Sequence, residues 1–198
     1  VGRVLNTLDK LQLSDDTIVV YFSDNGPNSY RWNGDMKGRK SSIEEGGLRS
    51  PFFIRWTNTL PAGKSVPQIT GAIDLLPTLT QLASLTPNTA KPLDGRSFES
   101  LLSNSNPKWQ PRSLFAIKGN QVSVRTQRYR LDAKGQLFNI NTDRGQHTNV
   151  AKTHPAIVKE LQAQARAHQK IMQAAFAQYA DRPFTVGYAP TTTLPARD

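Results

Sequence analysis

Residues 17–27 read TIVVYFSDNGP, and this stretch decides the fold class. Its first six residues are β-branched or aromatic with almost no polar alternation, which is typical of a strand buried on both faces. Residues 1–11 carry apolar side chains at helical spacing, and the polar residues 14–16 separate them from the strand. A helix, a short turn and a buried strand predict one unit of an α/β sheet.

Two side chains rich in oxygen, Asp24 and Asn25, stand where the predicted strand ends. Ligand sites in open α/β sheets lie outside the carboxyl ends of the strands. A polar, glycine-bearing segment continues to Ser50 and leads into residues 51–56, PFFIRW, a second predicted buried strand. The loop between the two strands is therefore expected to be held at both ends by the core.

The rest of the chain predicts a second, smaller unit. After a helix over residues 73–82, in which Asp74 is expected to cap the first turn and Pro77 to lie near it, a short helix ends at Leu102. The polar residues 103–111 favour a domain boundary. Beyond it the pattern predicts a small antiparallel sheet with strands at 113–117, 121–125, 129–132 and 136–140, and a long helix from Ile157 to Phe176.

Composition excludes several classes of protein. The 198 residues include no cysteine, which excludes disulfides, thiolate metal sites and a cysteine nucleophile, and no apolar run reaches membrane-spanning length. The net charge of +10 favours anionic partners, but the basic residues are scattered singly without a nucleic-acid module, so no nucleic-acid partner is expected. The first residues show neither Met nor a signal-peptide pattern, and we expect the sequence to start inside a longer or processed chain.

Several short motifs occur in one order along residues 1 to about 165, and together they resemble the sulfatases of the alkaline-phosphatase-like superfamily. The motifs are residues 17–27 ending in Asp-Asn-Gly-Pro, KGRK at 37–40, EGGLRSP at 45–51, residues 73–79, LDGRS at 93–97, LFNI at 137–140 and residues 143–151. Each motif alone is weak, whereas the ordered set is specific.

The resemblance implies an α/β fold: part of an alkaline-phosphatase-like mixed sheet flanked by helices, followed by a small antiparallel sheet with a C-terminal helix. It also implies hydrolysis of sulfuric esters, in which a formylglycine hydrate attacks sulfur while Ca²⁺ holds the sulfate oxygens. Asp24 and Asn25 match metal ligands of the family, and the family position that Asp24 matches also touches the ester. Lys40 matches the lysine that binds sulfate, and Lys37, one predicted helical turn away, ranks second.

The chain departs from the family at the nucleophile. It contains no Cys- or Ser-x-Pro-x-Arg signature, and the nearest approach, residues 105–109, has tryptophan in place of arginine. The formylglycine and the remaining calcium ligands are expected upstream. The isolated chain is therefore expected to be inactive and to bind calcium weakly, since two protein ligands are too few. Its open sheet edge and uncovered face favour self-association.

The predicted organisation is the C-terminal part of a catalytic domain over residues 1–105, a sheet and helix subdomain over 106–180, and an irregular tail over 181–198. The substrate is expected to be a sulfate ester, including a sulfated carbohydrate, and the resemblance suggests a periplasmic or secreted location. Two alternatives stay open: a phosphodiesterase or phosphonate hydrolase of the same superfamily, and a noncatalytic fragment that binds polyanions.

Other charged side chains near the motifs are expected to be structural. We interpret Glu44 and Glu45 as partners for Arg49 or for a backbone amide, because their positions do not suggest acid or base catalysis. His147, His154 and His168 are expected to be surface or packing residues and not metal ligands.

Overall fold

The computed structural model describes residues 1–30, 32–103, 108–179, 184–186 and 192–194. The helices are α1 (Gly2–Lys10), α2 (Glu45–Leu48), α3 (Leu75–Leu82), α4 (Glu99–Ser103) and α5 (Pro155–Tyr179), and single 3-10 turns cover Ala72–Asp74 and Ala151–Thr153. The strands are β1 (Val19–Phe22), β2 (Phe52–Arg55), β3 (Leu114–Lys118), β4 (Gln121–Arg125), β5 (Tyr129–Leu131), β6 (Leu137–Asn139), β7 (Phe184–Val186) and β8 (Thr192–Leu194). The predicted boundary at 105/106 lies outside the described residues.

The C-terminal unit is a four-stranded antiparallel sheet in the order β3-β4-β5-β6, with α5 packed against it. Lys118 pairs with Gln121, so the turn between β3 and β4 has only two residues, and its Gly119 adopts φ +55°. Two-residue hairpin turns need positive φ, which glycine adopts without strain. The predicted strands and long helix of this unit are confirmed.

The core of this unit lies between the sheet and α5. Val124, Leu131 and Leu137 of the sheet and Leu161 of α5 are each at most 2% exposed. Alternation along the strands brings these side chains to one face, where α5 covers them. The sheet is therefore a rigid platform for the segment that packs on its other face.

In the N-terminal part, β1 and β2 pair antiparallel, and α3 packs on α4 around Phe98, Leu101 and Leu102. Asp74, fully buried before α3, accepts hydrogen bonds from the backbone N–H groups of Gly71 (2.8 Å) and Arg96 (2.9 Å). As predicted, Asp74 stands at the N-cap of α3, but its carboxylate bonds to groups outside that helix.

The prediction that β1 and β2 are buried on both faces is wrong for the described structure. Tyr21 is 51% exposed, Phe22 46% and Phe53 65%, and α1 contains no buried residue. The reason is that β1 and β2 pair only with each other among the described strands, and the cluster between α3 and α4 covers only part of them, at Phe52 and Ile54. Tyr21 and Phe53 lie on one face of the pair and Phe22 on the other, so apolar side chains are exposed on both faces.

The tail was expected to be irregular, yet β7 and β8 pair antiparallel with Phe184 opposite Leu194. Threonine, valine and phenylalanine favour strands, and they occupy most of these six positions. Among the helices that the structure describes, none combines the length and apolar character that a membrane span requires.

Candidate functional site

The turn that follows β1 is clamped against α2 through glycine backbone. The Gly26 N–H donates to the Gly47 carbonyl oxygen at 2.9 Å, and a Cβ atom on Gly26 would lie 1.8 Å from the Gly46 carbonyl oxygen. The Ser50 hydroxyl donates to the Ser23 carbonyl oxygen at 2.7 Å. Only glycine permits this close approach of two backbones, so the position of the turn is fixed by Gly46 and Gly47 within α2 and by Ser50 just after it.

This clamped turn presents Asp24 and Asn25 at the mouth of β1. Asp24 is exposed and Asn25 is half-buried. Within the described part of the chain, the Asp24 carboxylate forms no hydrogen bond and no ion pair. A carboxylate and a neighbouring amide oxygen suit a hard cation, which prefers oxygen ligands. Both groups are therefore available for a ligand.

The loop that carries Lys40 lies beside this turn. The Lys40 backbone N–H donates to the Pro27 carbonyl oxygen at 2.9 Å, and the Gly46 N–H donates to the Lys37 carbonyl oxygen at 2.7 Å. Lys40 is exposed. No ion pair joins Lys40 to Asp24 among the residues described, so the ammonium and the carboxylate are both free to contact a third group.

Lys37 and Lys40 do not share a helix, contrary to the sequence prediction. Gly38 between them adopts φ +87°, and the segment is a loop. The Lys37 ammonium lies 5.2 Å from the ring centre of Phe138 on β6, within the range of a cation–π contact. Lys37 thus interacts with the C-terminal sheet.

The segment from Ser41 to Glu45 is bound along its length by the C-terminal sheet. The Ile43 carbonyl oxygen accepts hydrogen bonds from the Ser123 hydroxyl at 2.7 Å and from Arg130 Nη1 at 3.1 Å, and Lys118 Nζ donates to the Ser41 carbonyl oxygen at 2.7 Å. Since Lys40 immediately precedes this segment, the sheet helps to fix the loop on which it stands.

Glu45 anchors the end of the same segment in a buried ion-pair network. Its Oε2 accepts hydrogen bonds from Arg130 Nη2 at 2.8 Å and from Arg125 Nε at 3.0 Å, while Oε1 lies 3.6 Å from Arg49 Nη1. Burial alone would raise the pKa of Glu45, but the guanidinium groups of Arg130 and Arg125 outweigh it and hold that pKa below its ordinary value. Glu45 is therefore a structural anion, as predicted.

Gln146 completes this attachment, and sequence reasoning missed it. Its side-chain oxygen accepts from the Glu45 backbone N–H at 3.1 Å, and its Nε2 donates to Glu44 Oε2 at 2.7 Å. The prediction of structural roles for both glutamates is confirmed. The partners were missed because Arg125, Arg130 and Gln146 are 80 or more residues away in sequence. The one available signal for Gln146 was its position within the motif of residues 143–151.

The three histidines have packing or surface roles, as predicted. His168 stacks on Phe115 with ring centres 4.2 Å apart, His154 packs near Tyr129, and His147 is exposed. Across the residues that the structure describes, no group of three or more His, Cys, Asp or Glu side chains is arranged to hold a metal ion.

Comparison with known proteins also relates the first part of the chain to the sulfatases. Residues 1–85 match the family model described as Sulfatase. Steryl-sulfatase of Rattus norvegicus is 38% identical over 112 residues, which cover 52% of this chain and 19% of that protein. N-acetylgalactosamine-6-O-sulfatase of Bacteroides thetaiotaomicron is 28% identical over 194 residues, which cover 81% of this chain and 38% of that protein.

The similarity extends to the fold. The crystal structure of Ps i-CgsB superimposes with a TM-score of 0.74 at 28% identity, covering 85% of this chain and 40% of that one. The fold is accordingly α/β and of the alkaline-phosphatase-like type, as predicted. The chain spans between about a fifth and two fifths of the length of these relatives.

Proposed function

Because this chain carries a sulfatase-family sequence, we propose that the whole protein hydrolyses sulfate esters and that the turn after β1 supplies part of its site. One observation carries the proposal: Asp24 and Asn25 project from a clamped turn, and the loop bearing Lys40 is hydrogen-bonded to that turn. An anionic sulfate group needs cationic partners held in fixed positions. The loop offers the ammonium of Lys40, and the turn offers oxygen donors that would hold a cation.

Asp24 and Asn25 are proposed to hold Ca²⁺. The residues fit the ion, because an exposed carboxylate without a partner in the described structure and an adjacent amide oxygen are hard oxygen donors. They provide two of the six to eight oxygens that the ion takes, so other ligands must come from elsewhere. When bound, calcium neutralises and polarises the sulfate oxygens as a Lewis acid.

Lys40 is proposed to bind a sulfate oxygen through its ammonium. Its backbone bond to Pro27 keeps the loop against the turn, while its side chain stays exposed and free of Asp24. A point charge aimed at an anion stabilises developing charge more strongly as water is excluded. Lys37 ranks second, because its ammonium already contacts Phe138.

The substrate is proposed to be a sulfated carbohydrate. The relative whose alignment covers 81% of this chain is named for a sulfated amino sugar. The net charge of +10 suits a polyanionic sugar chain, because a basic surface raises the local concentration of anions. The nucleophile is proposed to be a formylglycine outside these 198 residues, and the chain by itself is proposed to be inactive.

The proposal is tested on the whole protein with 4-nitrophenyl sulfate. Asp24→Ala and Lys40→Ala should each lower kcat/KM by about a hundredfold or more, the scale found when one preorganised stabilising group is removed. Asp24→Ala should also weaken calcium binding measured by calorimetry. Asp16→Ala, another exposed aspartate in the chain before β1, is the matched control and should change neither quantity.

Three results would overturn the proposal in different ways. If Asp24→Ala hydrolysed sulfate esters at the unsubstituted rate, the assignment of Asp24 to the site would be wrong. Faster hydrolysis of phosphate or phosphonate esters than of sulfate esters would favour the phosphodiesterase alternative. Salt-sensitive binding of heparin without any ester hydrolysis would favour a noncatalytic polyanion-binding protein.

A further inference from the structure

A groove in the C-terminal unit, named here the α5 groove, lies between two hairpin turns and helix α5. The turns are residues 119–120, which join β3 to β4, and residues 132–136, which join β5 to β6. The volume of the groove is about 310 Å³. The polar side chains that line it are Asn120, Asp132, Lys134, Gln162, Arg166 and Gln169.

The α5 groove lies on the opposite face of the sheet from the proposed sulfate site. Val122 and Leu131 line the groove, and Leu131 belongs to the core beneath α5. Their chain neighbours Ser123 and Arg130 donate to the Ile43 carbonyl oxygen on the other face. Successive residues of a strand point to opposite faces. The sheet therefore separates a ligand in the groove from the groups proposed to bind the sulfate ester.

The walls of the groove are fixed by hydrogen bonds. Asp132 Oδ1 accepts from the backbone N–H groups of Lys134 at 2.9 Å and Gln136 at 2.8 Å, which holds the turn between β5 and β6. Asp132 is only 3% exposed, so its charge is directed into the turn. On the other side, Gln169 Nε2 donates to the Asn120 carbonyl oxygen at 2.9 Å. Preformed walls lower the entropy cost of binding a ligand.

Two cationic side chains stand at the groove without a partner. Lys134 is on the turn and Arg166 is on α5, and both are exposed. Within the residues that the structure describes, neither side chain forms an ion pair or a hydrogen bond. A guanidinium group binds a sulfate or carboxylate through two parallel hydrogen bonds, and the nearby amide of Gln162 suits a hydroxyl group. The groove therefore fits an anionic group carried by a polyhydroxylated molecule.

Positive charge continues along α5 beyond the groove. Lys159 lies seven residues before Arg166 and Lys170 four residues after it, and both are exposed. These spacings place the three cations on one side of the helix, over about 16 Å of its length. Such a row suits a chain with repeated anionic groups better than one small anion. None of the residues described at the lining is aromatic, so a nucleobase would find no stacking partner there.

We propose that the α5 groove is a second, noncatalytic site that binds an anionic sugar chain, with its sulfate or carboxylate groups held by Lys134 and Arg166. This goes beyond the proposed function, because binding in the groove requires no turnover. A polymer tethered there would raise the local concentration of its own sulfate esters at the protein.

The test measures binding of a short heparin oligosaccharide to the whole protein by isothermal calorimetry. Lys134→Gln and Arg166→Gln should each weaken binding by about fivefold, the upper range for an exposed ion pair, and together by about twentyfold. The matched control is Lys152→Gln, which removes the same charge from an exposed side chain before α5, about 16 Å or more from Arg166 along the helix. Its effect should stay below about twofold. The double variant should keep kcat/KM for 4-nitrophenyl sulfate.

Each outcome decides one part of the proposal. An equal loss of heparin binding in Lys152→Gln, or full binding by the double variant, would overturn the site. Single-stranded DNA of the same charge, bound as tightly and weakened as much by Arg166→Gln, would overturn the assignment to a sugar chain. A fall of kcat/KM for 4-nitrophenyl sulfate in the double variant would contradict a noncatalytic role. If binding responds as expected while the protein hydrolyses no sulfate ester, the groove stands and the proposed function fails.

Discussion

Replacing Glu45 by glutamine would measure how firmly the loop of Lys40 is attached to the C-terminal sheet. The substitution keeps the size of the side chain and one acceptor oxygen, but it removes the charge facing Arg125 and Arg130. We expect the free energy of unfolding to fall by about 3 kcal/mol, because removing one partner of a buried ion pair leaves the other charge uncompensated.

The structure sets that magnitude. Glu45 Oε2 accepts three N–H groups, at 2.8 and 3.1 Å from Arg130 and at 3.0 Å from Arg125. Glu45 and Arg130 are each 3% exposed and Arg125 is 12% exposed, so solvent screens the charges little. Hydrogen bonds to charged groups contribute about 1.5–3 kcal/mol each. The amide oxygen of glutamine still accepts hydrogen bonds and so keeps part of this stabilisation. The expected loss is therefore smaller than the sum of three charged hydrogen bonds.

Urea unfolding of the chain at pH 7, followed by tryptophan fluorescence and circular dichroism, measures the loss. With a slope of about 2 kcal/mol per molar urea, the midpoint should fall by about 1.5 M. The control is Glu44→Gln, because Glu44 is half-buried and accepts one bond from Gln146. Its effect should stay below about 1.5 kcal/mol, the contribution of one hydrogen bond.

Acid dependence gives a second readout of the same charge. The pKa of Glu45 in the folded chain lies below its ordinary value of 4.5, because the two arginines outweigh the effect of burial. The carboxylate therefore stabilises the fold fully above the unfolded pKa, and this contribution is lost as pH falls through the lower folded pKa. The stability difference between the wild-type chain and Glu45→Gln should be constant at neutral pH and narrow below pH 4.5. Equal midpoints at pH 7, or a difference that does not change on acidification, would refute the reasoning.

Two further substitutions test other parts of the fold. Asp74→Asn should destabilise the chain by about 3 kcal/mol in urea unfolding, because the fully buried carboxylate lies 2.6 Å from Arg112. Asp9→Asn, which removes one charge of a half-exposed ion pair with Arg55, should cost less than about 1 kcal/mol. Equal effects of the two substitutions would contradict this expectation. Gly46→Ala should cost about 1–3 kcal/mol, because its new Cβ would lie 2.6–2.9 Å from three backbone carbonyl oxygens, and Gly2→Ala, which meets nothing within 4 Å, should be neutral in the same assay.

The local elements of this fold could be predicted from the sequence, because each carries its own pattern. The strand predicted over residues 121–125 is β4 with the same bounds, and the long helix was found from the spacing of its apolar residues. The burial of β1 could not be predicted in this way. The apolar pattern of residues 17–22 is typical of a strand covered on both faces. It does not show whether the covering elements are present, and the described chain gives β1 only one partner strand.

The site was only partly predictable for a related reason. Asp24, Asn25 and Lys40 stood out through short motifs, and the assignment of roles to them stays a prediction. The contacts that hold the Lys40 loop were invisible in the sequence. Ser123, for example, lies 80 residues from the Ile43 carbonyl oxygen to which it donates, and no local pattern encodes a partner at that distance.

The two halves of the proposed site are attached by different kinds of contact, and this difference has a consequence for variation of the sequence. The Asp24 turn is held largely by backbone contacts between Gly26 and α2, so the C-terminal sheet reaches it indirectly, through Glu45 at the start of that helix. The Lys40 loop is held directly by side chains of the C-terminal unit, among them Arg130 of β5 and Gln146 of the turn after β6. Changes in the sheet would therefore displace the Lys40 loop more directly than the Asp24 turn. The C-terminal unit is in this sense part of the site, although it supplies none of the proposed ligands of the sulfate group.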